Sequence, residues 1–147
     1  MNKNNLKFSL LQQFSPTYAT CEELRNKLKA YNESKIGNYE INKYIFAYHN
    51  ENNDLVAGLY AFCRTGSFHI ELLWVDESLR GQKLGTKLLK QAEECARNNG
   101  AFYLKVNTAS FQALDFYLKN GYEIFAKLPL LINGMDNQYD YFLVKYL

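Results

Sequence analysis

Two hydrophobic periods alternate along this chain, and the places where one gives way to the other lay out its elements. Phe8–Phe14 carries a weak alternating pattern and predicts a first strand. Thr20-Cys21-Glu22-Glu23 has the form of a capping box, with Thr20 as N-cap and Glu23 reaching back. Leu24, Leu28 and Tyr31 follow at helical spacing, so a helix is expected over about residues 20–34. Lys43–His49 alternates as a strand, and Glu51-Asn52-Asn53-Asp54 is a turn cluster. Leu55–Cys63 then completes a predicted hairpin. After Arg64-Thr65-Gly66, Phe68–Val75 reads as a third strand. Strict alternation puts Ile70, Leu72 and Trp74 on one face and His69, Glu71, Leu73 and Val75 on the other.

The period then becomes helical. Beyond Asp76–Gln82, Leu84, Leu88, Ala92, Cys95 and Ala96 make one apolar stripe, with Lys87, Lys90, Glu94 and Arg97 off it. This helix should run to about Asn98 and stop at Gly100. Phe102–Val106 predicts a short buried strand, and Ser110 a helix cap for a segment through Lys119, ended by Asn120-Gly121. Tyr122–Lys127 and Tyr139–Tyr146 are the last strands, joined by a polar loop containing Gly134. Hairpins come first and β-helix-β crossovers later. The expected fold is therefore mixed α+β, in the wider α/β class: a central, mostly antiparallel mixed sheet with helices on both faces.

Size and composition narrow the function. At 147 residues the chain is one ordinary domain, able to build a core without staples. A formal charge of +2 gives no reason to expect nucleic acid as partner. Cys21, Cys63 and Cys95 show no metal-ligand spacing, so no metal is expected. Met1–Ser9 lacks an apolar core of secretory length, and no run approaches the roughly 20 apolar residues that span a bilayer. These features predict reduced thiols, no membrane partner and a cytoplasmic protein.

Chemistry concentrates where the third strand meets the long helix. Arg80-Gly81-Gln82-Lys83-Leu84-Gly85-Thr86 forms a glycine-containing turn ahead of a helix N-terminus. The first turn of a helix offers unpaired amides and the positive end of its dipole, which suits a diphosphate. Arg80, Lys83 and Lys87 add positive charge. Gly81 and Gly85 would let the backbone approach a ligand, or would simply permit a tight turn. Neither the P-loop nor the dinucleotide glycine spacing is present.

A strand followed by Val75-x-x-x-x-Arg80-Gly81-x-x-x-Gly85 and an amphipathic helix resembles the central motif of the GNAT superfamily of acyl-CoA N-acyltransferases. Ala113-Leu114-Asp115-Phe116-Tyr117-Leu118-Lys119-Asn120-Gly121-Tyr122 is similar to that family's second motif. The element order also matches, weakly before about residue 40. The sequence departs from the family pattern where Lys83 stands at the middle glycine position, which is tolerable if Lys83 has ordinary helical dihedrals, and where Ser110 stands for a frequent asparagine.

The resemblance implies a single N-acetyltransferase domain over residues 1–147, with acetyl-CoA as co-substrate. It would bind through the main chain of Leu73, Trp74 and Val75, the turn Arg80, Gly81, Gln82, Lys83, Leu84, Gly85 and Thr86, and Ser110 and Tyr117. Leu73–Val75 amides would polarise the thioester carbonyl, with the side chains of Leu73 and Val75 lining the channel or packing the core. Glu71 would act as base directly or through water, with His69 as the alternative, and Tyr117 would protonate the departing thiolate. Direct transfer in a ternary complex needs no cysteine. The acceptor is an unidentified primary amine of a small molecule or peptide, in a region formed by Thr17–Tyr39 and Leu128–Asp140. Homodimer formation stays open. The rival implied function is a non-catalytic acyl-CoA sensor or interaction module of the same fold.

Overall fold

Helix α1, Tyr18–Ile36, starts earlier than the capping box predicts in the computed structural model, which describes residues 9–147. Thr17 is the N-cap, and its Oγ1 accepts a hydrogen bond from the Thr20 amide at 3.4 Å. Thr17 keeps the extended backbone usual for an N-cap, and its hydroxyl, ahead of that of Thr20, takes the role. Gly37, with φ 80°, ends α1 by donating its amide to the Glu33 carbonyl at 3.0 Å. The first predicted strand does not form over residues 9–14, and Phe8 lies outside the described residues. The chain divides into two compact units, one ending at Tyr39 and the other spanning Glu40–Leu147.

The second unit is a six-stranded sheet. Its strands are β1 (Asn42–His49), β2 (Leu55–Arg64), β3 (Ser67–Val75), β4 (Tyr103–Ala109), β5 (Glu123–Ile132) and β6 (Met135–Tyr146). They lie in the order β1-β2-β3-β4-β6-β5. Only β3 and β4 run parallel; the other neighbours are antiparallel. Helices α2 (Leu84–Asn98) and α3 (Leu114–Lys119) pack on one face of this sheet. That face supplies the core: Ala57, Leu59 and Ala61 alternate along β2, Phe68 and Ile70 continue on β3, and Leu88, Leu89, Ala92 and Ala96 of α2 close over them. No helix among the described residues is long and apolar enough to cross a membrane.

Three further elements differ from the sequence expectation. The loop expected before Tyr139 contracts to a two-residue turn, Asn133-Gly134, because Gly134 takes φ 79° and lets β5 and β6 pair from Ile132 and Met135 onward. The third helix begins at Leu114 rather than near Ser110, and Ser110 does not cap it. Its N-cap is Ala113, which donates its amide to Thr108 Oγ1 at 3.2 Å. The Ser110 amide instead extends the sheet by donating to the Tyr139 carbonyl at 2.8 Å. Finally, the α2 stripe includes Glu93, which is buried and paired to Lys145 of β6 at 2.8 Å.

Candidate active site

β3 and β4 pair only from Ser67↔Tyr103 to Ile70↔Val106. β3 continues to Val75 and β4 to Ala109 without further pairing to each other. The main chain of Leu73–Val75 is held by β2, with Leu59↔Leu73 and Ala57↔Val75 in register, and its β4 side has no strand partner. Such unpaired amides are obligatory donors in search of an acceptor.

A bulge sits at the head of this opening. Tyr60 aligns with Leu72 and Ala61 with Ile70, so Glu71 is an extra residue with no cross-strand partner on either side. The bulge breaks the alternation expected for β3. Phe68 and Ile70 are buried before it, and Leu73 and Val75 pack against the same core after it, while Leu72 and Trp74 are 63% and 46% exposed. The expected grouping of Glu71 with Leu73 and Val75 by simple period is therefore corrected: Ile70 shares their face, and Glu71 is an exposed residue at the irregularity. Glu71 enters no ion pair among the described residues. His69 is half-buried, edge-on to Phe62 at 4.9 Å, and opposite Lys105 in the ladder. Burial first, and then the Lys105 charge, push its pKa below the usual imidazole value, against an opposing pull from Glu71.

From Val75 the chain turns sharply. Asp76 accepts hydrogen bonds from the Ser78 amide at 2.9 Å and the Ser78 hydroxyl at 2.5 Å, and these hold its carboxyl below its ordinary range. A short 3-10 turn, Glu77–Leu79, follows. Arg80 is paired with Glu77 at 3.2 Å, and its Nε lies 3.4 Å from the Val75 carbonyl. Gly81 has φ 84° and nothing near its missing Cβ, so backbone conformation is what requires glycine there.

Lys83 is the N-cap of α2 and has φ 63° and ψ 16°, a left-handed conformation. The expectation of helical dihedrals at this position is overturned. A lysine occupies a backbone state that suits glycine, at a cost of about 1–2 kcal/mol. Lys83→Gly should therefore raise stability by about 0.5–1 kcal/mol after the unfolded-state entropy of glycine is subtracted. Lys83→Ala, which keeps the strain, should not. Urea unfolding midpoints of the two variants test this.

No side chain caps α2, and its first internal hydrogen bond runs from the Lys87 amide to the Lys83 carbonyl at 3.0 Å. The amides of Leu84, Gly85 and Thr86 precede that bond and form the helix's unfilled donor end. Gly85 is glycine for a different reason than ligand approach. A Cβ there would stand 3.1 Å from the Phe116 ring and 3.7 Å from Val75 Cγ2. The end of β3, the start of α2 and helix α3 thus meet at Gly85.

Tyr117, the next residue after Phe116, is 5% exposed and edge-on to Phe116 at 5.2 Å and Tyr122 at 5.6 Å. Burial pushes its phenol up to about 12. Ser110 Oγ donates to Gln138 Oε1 at 2.5 Å and accepts from the Tyr139 amide at 3.1 Å, so its hydroxyl is engaged with β6. Burial also raises the Cys63 and Cys95 thiols, the opposite of an activated nucleophile. The bulge, the Phe116 contact and the Glu77–Arg80 pair are the features that sequence reasoning missed. A charged residue inside the apolar run Ile70-Glu71-Leu72-Leu73-Trp74 was the one available signal of the first.

The family profile described as "Acetyltransferase (GNAT) family" matches residues 9–122. An acetyltransferase of Agrobacterium fabrum is 32% identical over 113 residues, 77% of this chain and 82% of that protein. Blasticidin-S acetyltransferase of Streptomyces morookaense is 39% identical over 80 residues, 54% of this chain and 59% of that enzyme. Among solved structures, a protein of Agrobacterium tumefaciens classed as an acetyltransferase superposes with a TM-score of 0.87 at 27% identity, covering 95% of this chain and 100% of the other.

Proposed function

The chain belongs to the GNAT acetyltransferase family and is an acyl-CoA-dependent N-acetyltransferase, and from that premise we propose that it transfers acetyl from acetyl-CoA to a primary amine of a small molecule or peptide in a ternary complex. The observation that carries the reading is the meeting, around Gly85, of an unpaired strand end, an uncapped helix N-terminus and the helix bearing Tyr117.

The unfilled amides of Leu84, Gly85 and Thr86, with Gly81 and Gln82 of the turn before them, suit a diphosphate, and Arg80 and Lys83 add charge. A pantetheine chain can then extend the sheet along the free side of Leu73–Val75, where the amides of Leu73 and Val75 face away from β2 and donate to its carbonyls and to the thioester oxygen, while that of Trp74 faces β2. Ser110 serves this site by holding the 109–113 turn to β6.

The acceptor amine must lose a proton before it attacks, because a lysine-like ammonium has a pKa of about 10.4. Glu71 is the base in this reading. It lies two residues before Leu73, exposed at the bulge, and takes the proton through water. The amine nitrogen bonds to the acetyl carbon, the carbon–sulfur bond breaks with its electron pair left on the coenzyme sulfur, and the second amine proton passes to solvent water as the amide forms. Tyr117 meets the developing thiolate. With its phenol near 12 it remains a neutral donor throughout the physiological range, and it stabilises sulfur by a hydrogen bond at the moment of departure.

The relation to the blasticidin-S acetyltransferase makes blasticidin S the first acceptor to test. The test is thiol release and product mass with acetyl-CoA and a panel of blasticidin S, polyamines, amino acids, aminoglycosides and peptides. Amine-dependent thiol release with a mass gain of one acetyl group is expected from at least one class. Thiol release that no acceptor raises above background, with no acetylated product, counts against it.

A further inference from the structure

Arg80 is already engaged in the coenzyme turn. Its guanidinium Nη1 is 3.2 Å from Glu77 Oε1, and its Nε points at the Val75 carbonyl from 3.4 Å. Both contacts lie between Val75, the last residue of β3, and Arg80, ahead of α2. Glu77 and Arg80 side chains are strongly exposed, at 84% and 60%, so the pair is weak and readily exchanged. No other ion pair among the described residues involves either one. The nearby anchor of the turn is Asp76, through Ser78, and it is independent of Glu77.

We propose that Glu77 sets coenzyme affinity by holding Arg80 away from the diphosphate, so that binding exchanges a carboxylate partner for a phosphate one. A guanidinium engages both anions with the same planar fork and cannot serve both fully. The coenzyme must therefore displace Glu77, and the free carboxylate then stands beside a bound polyanion. Both effects weaken binding, and both disappear when the carboxylate is removed. The inference rests on the coenzyme reading of this turn and adds to it a residue that tunes the site without touching the reacting atoms.

The experiment is calorimetric titration of coenzyme A into wild type, Glu77→Gln, Arg80→Gln and the double variant. Glu77→Gln should bind about two- to fivefold more tightly, the range an exposed ion pair can supply. In the Arg80→Gln background the same substitution should gain clearly less, because only the residual charge repulsion is left to remove. Equal gains in both backgrounds would overturn the exchange of partners, and no gain in the wild-type background would overturn any role for Glu77. Wild type that takes up no coenzyme A would instead remove the reading of the turn itself. Glu77 is at the surface, so thermal melts of the variants should match wild type.

Discussion

Tyr117→Phe should lower turnover by about ten- to a thousandfold while leaving coenzyme A affinity nearly unchanged. The substitution removes one oxygen and keeps the ring that packs against Phe116 and Tyr122. No hydrogen bond of the Tyr117 hydroxyl exists among the described residues, and the hydroxyl is absent from the fully buried unpaired oxygens, unlike that of Tyr122. Its loss therefore orphans nothing within the fold, and a melt should move little. What it removes is a donor for sulfur in the transition state. The pH profile separates this role from full proton transfer. Burial raises the phenol from 10.0 to about 12, so its acid form persists as pH rises and is lost only near that value. Wild-type turnover should show no alkaline decline that vanishes in Tyr117→Phe below about pH 11. A decline near pH 8–9 that disappears in the variant would mean that the phenol titrates far lower in the complex. Full turnover in Tyr117→Phe would remove the residue from the mechanism.

Lys145→Ala should destabilise the protein by about 2–4 kcal/mol, a large share of the 5–15 kcal/mol that typically holds a domain together. Lys145 Nζ lies 2.8 Å from Glu93 Oε1 and 2.8 Å from the Asn120 carbonyl, and 5.6 Å from the centre of the Tyr122 ring. The side chains are 23% and 10% exposed, so removing the cation leaves a nearly buried carboxylate without a partner. Water reaching Glu93 through the vacated space keeps the expected loss below that of a fully buried pair. Thermal unfolding should fall by on the order of 10 °C for a chain of this size. The double variant Glu93→Leu with Lys145→Met should recover most of it, because apolar replacements of a buried pair are often neutral. A Lys145→Ala melt within about 2 °C of wild type would show that the pair carries no such weight. Because Glu93 is on α2 and Asn120 ends α3, the same contact fixes both helices that converge at Gly85.

Much of the site was readable locally. The strand Phe68–Val75, the turn from Arg80, the amphipathic helix to Asn98 and the helix bearing Tyr117 are each announced by residues within one short window. Period and glycine placement act at that range. The long helix also shows how far such a window reaches: its stripe was legible, yet Glu93 lies on the buried face because its partner comes 52 residues later. Ser110 misled in the same way. A serine ahead of a helical pattern ordinarily caps it, but Gln138 and Tyr139 of β6 arrive to take the hydroxyl, and the helix starts four residues on.

The sequence by itself determined the element order of residues 42–146, the turn that ends β3 and the tyrosine on the last helix, because neighbouring residues encode hydrophobic period, backbone freedom and capping. Tertiary structure alone decided that Glu71 bulges, that Lys83 is left-handed, that Gly85 yields to Phe116 and that β3 and β4 part after Ile70. Each depends on where a second segment lies in space, and the strain or the open donors at one position are tolerated only because packing from distant parts of the chain holds them there.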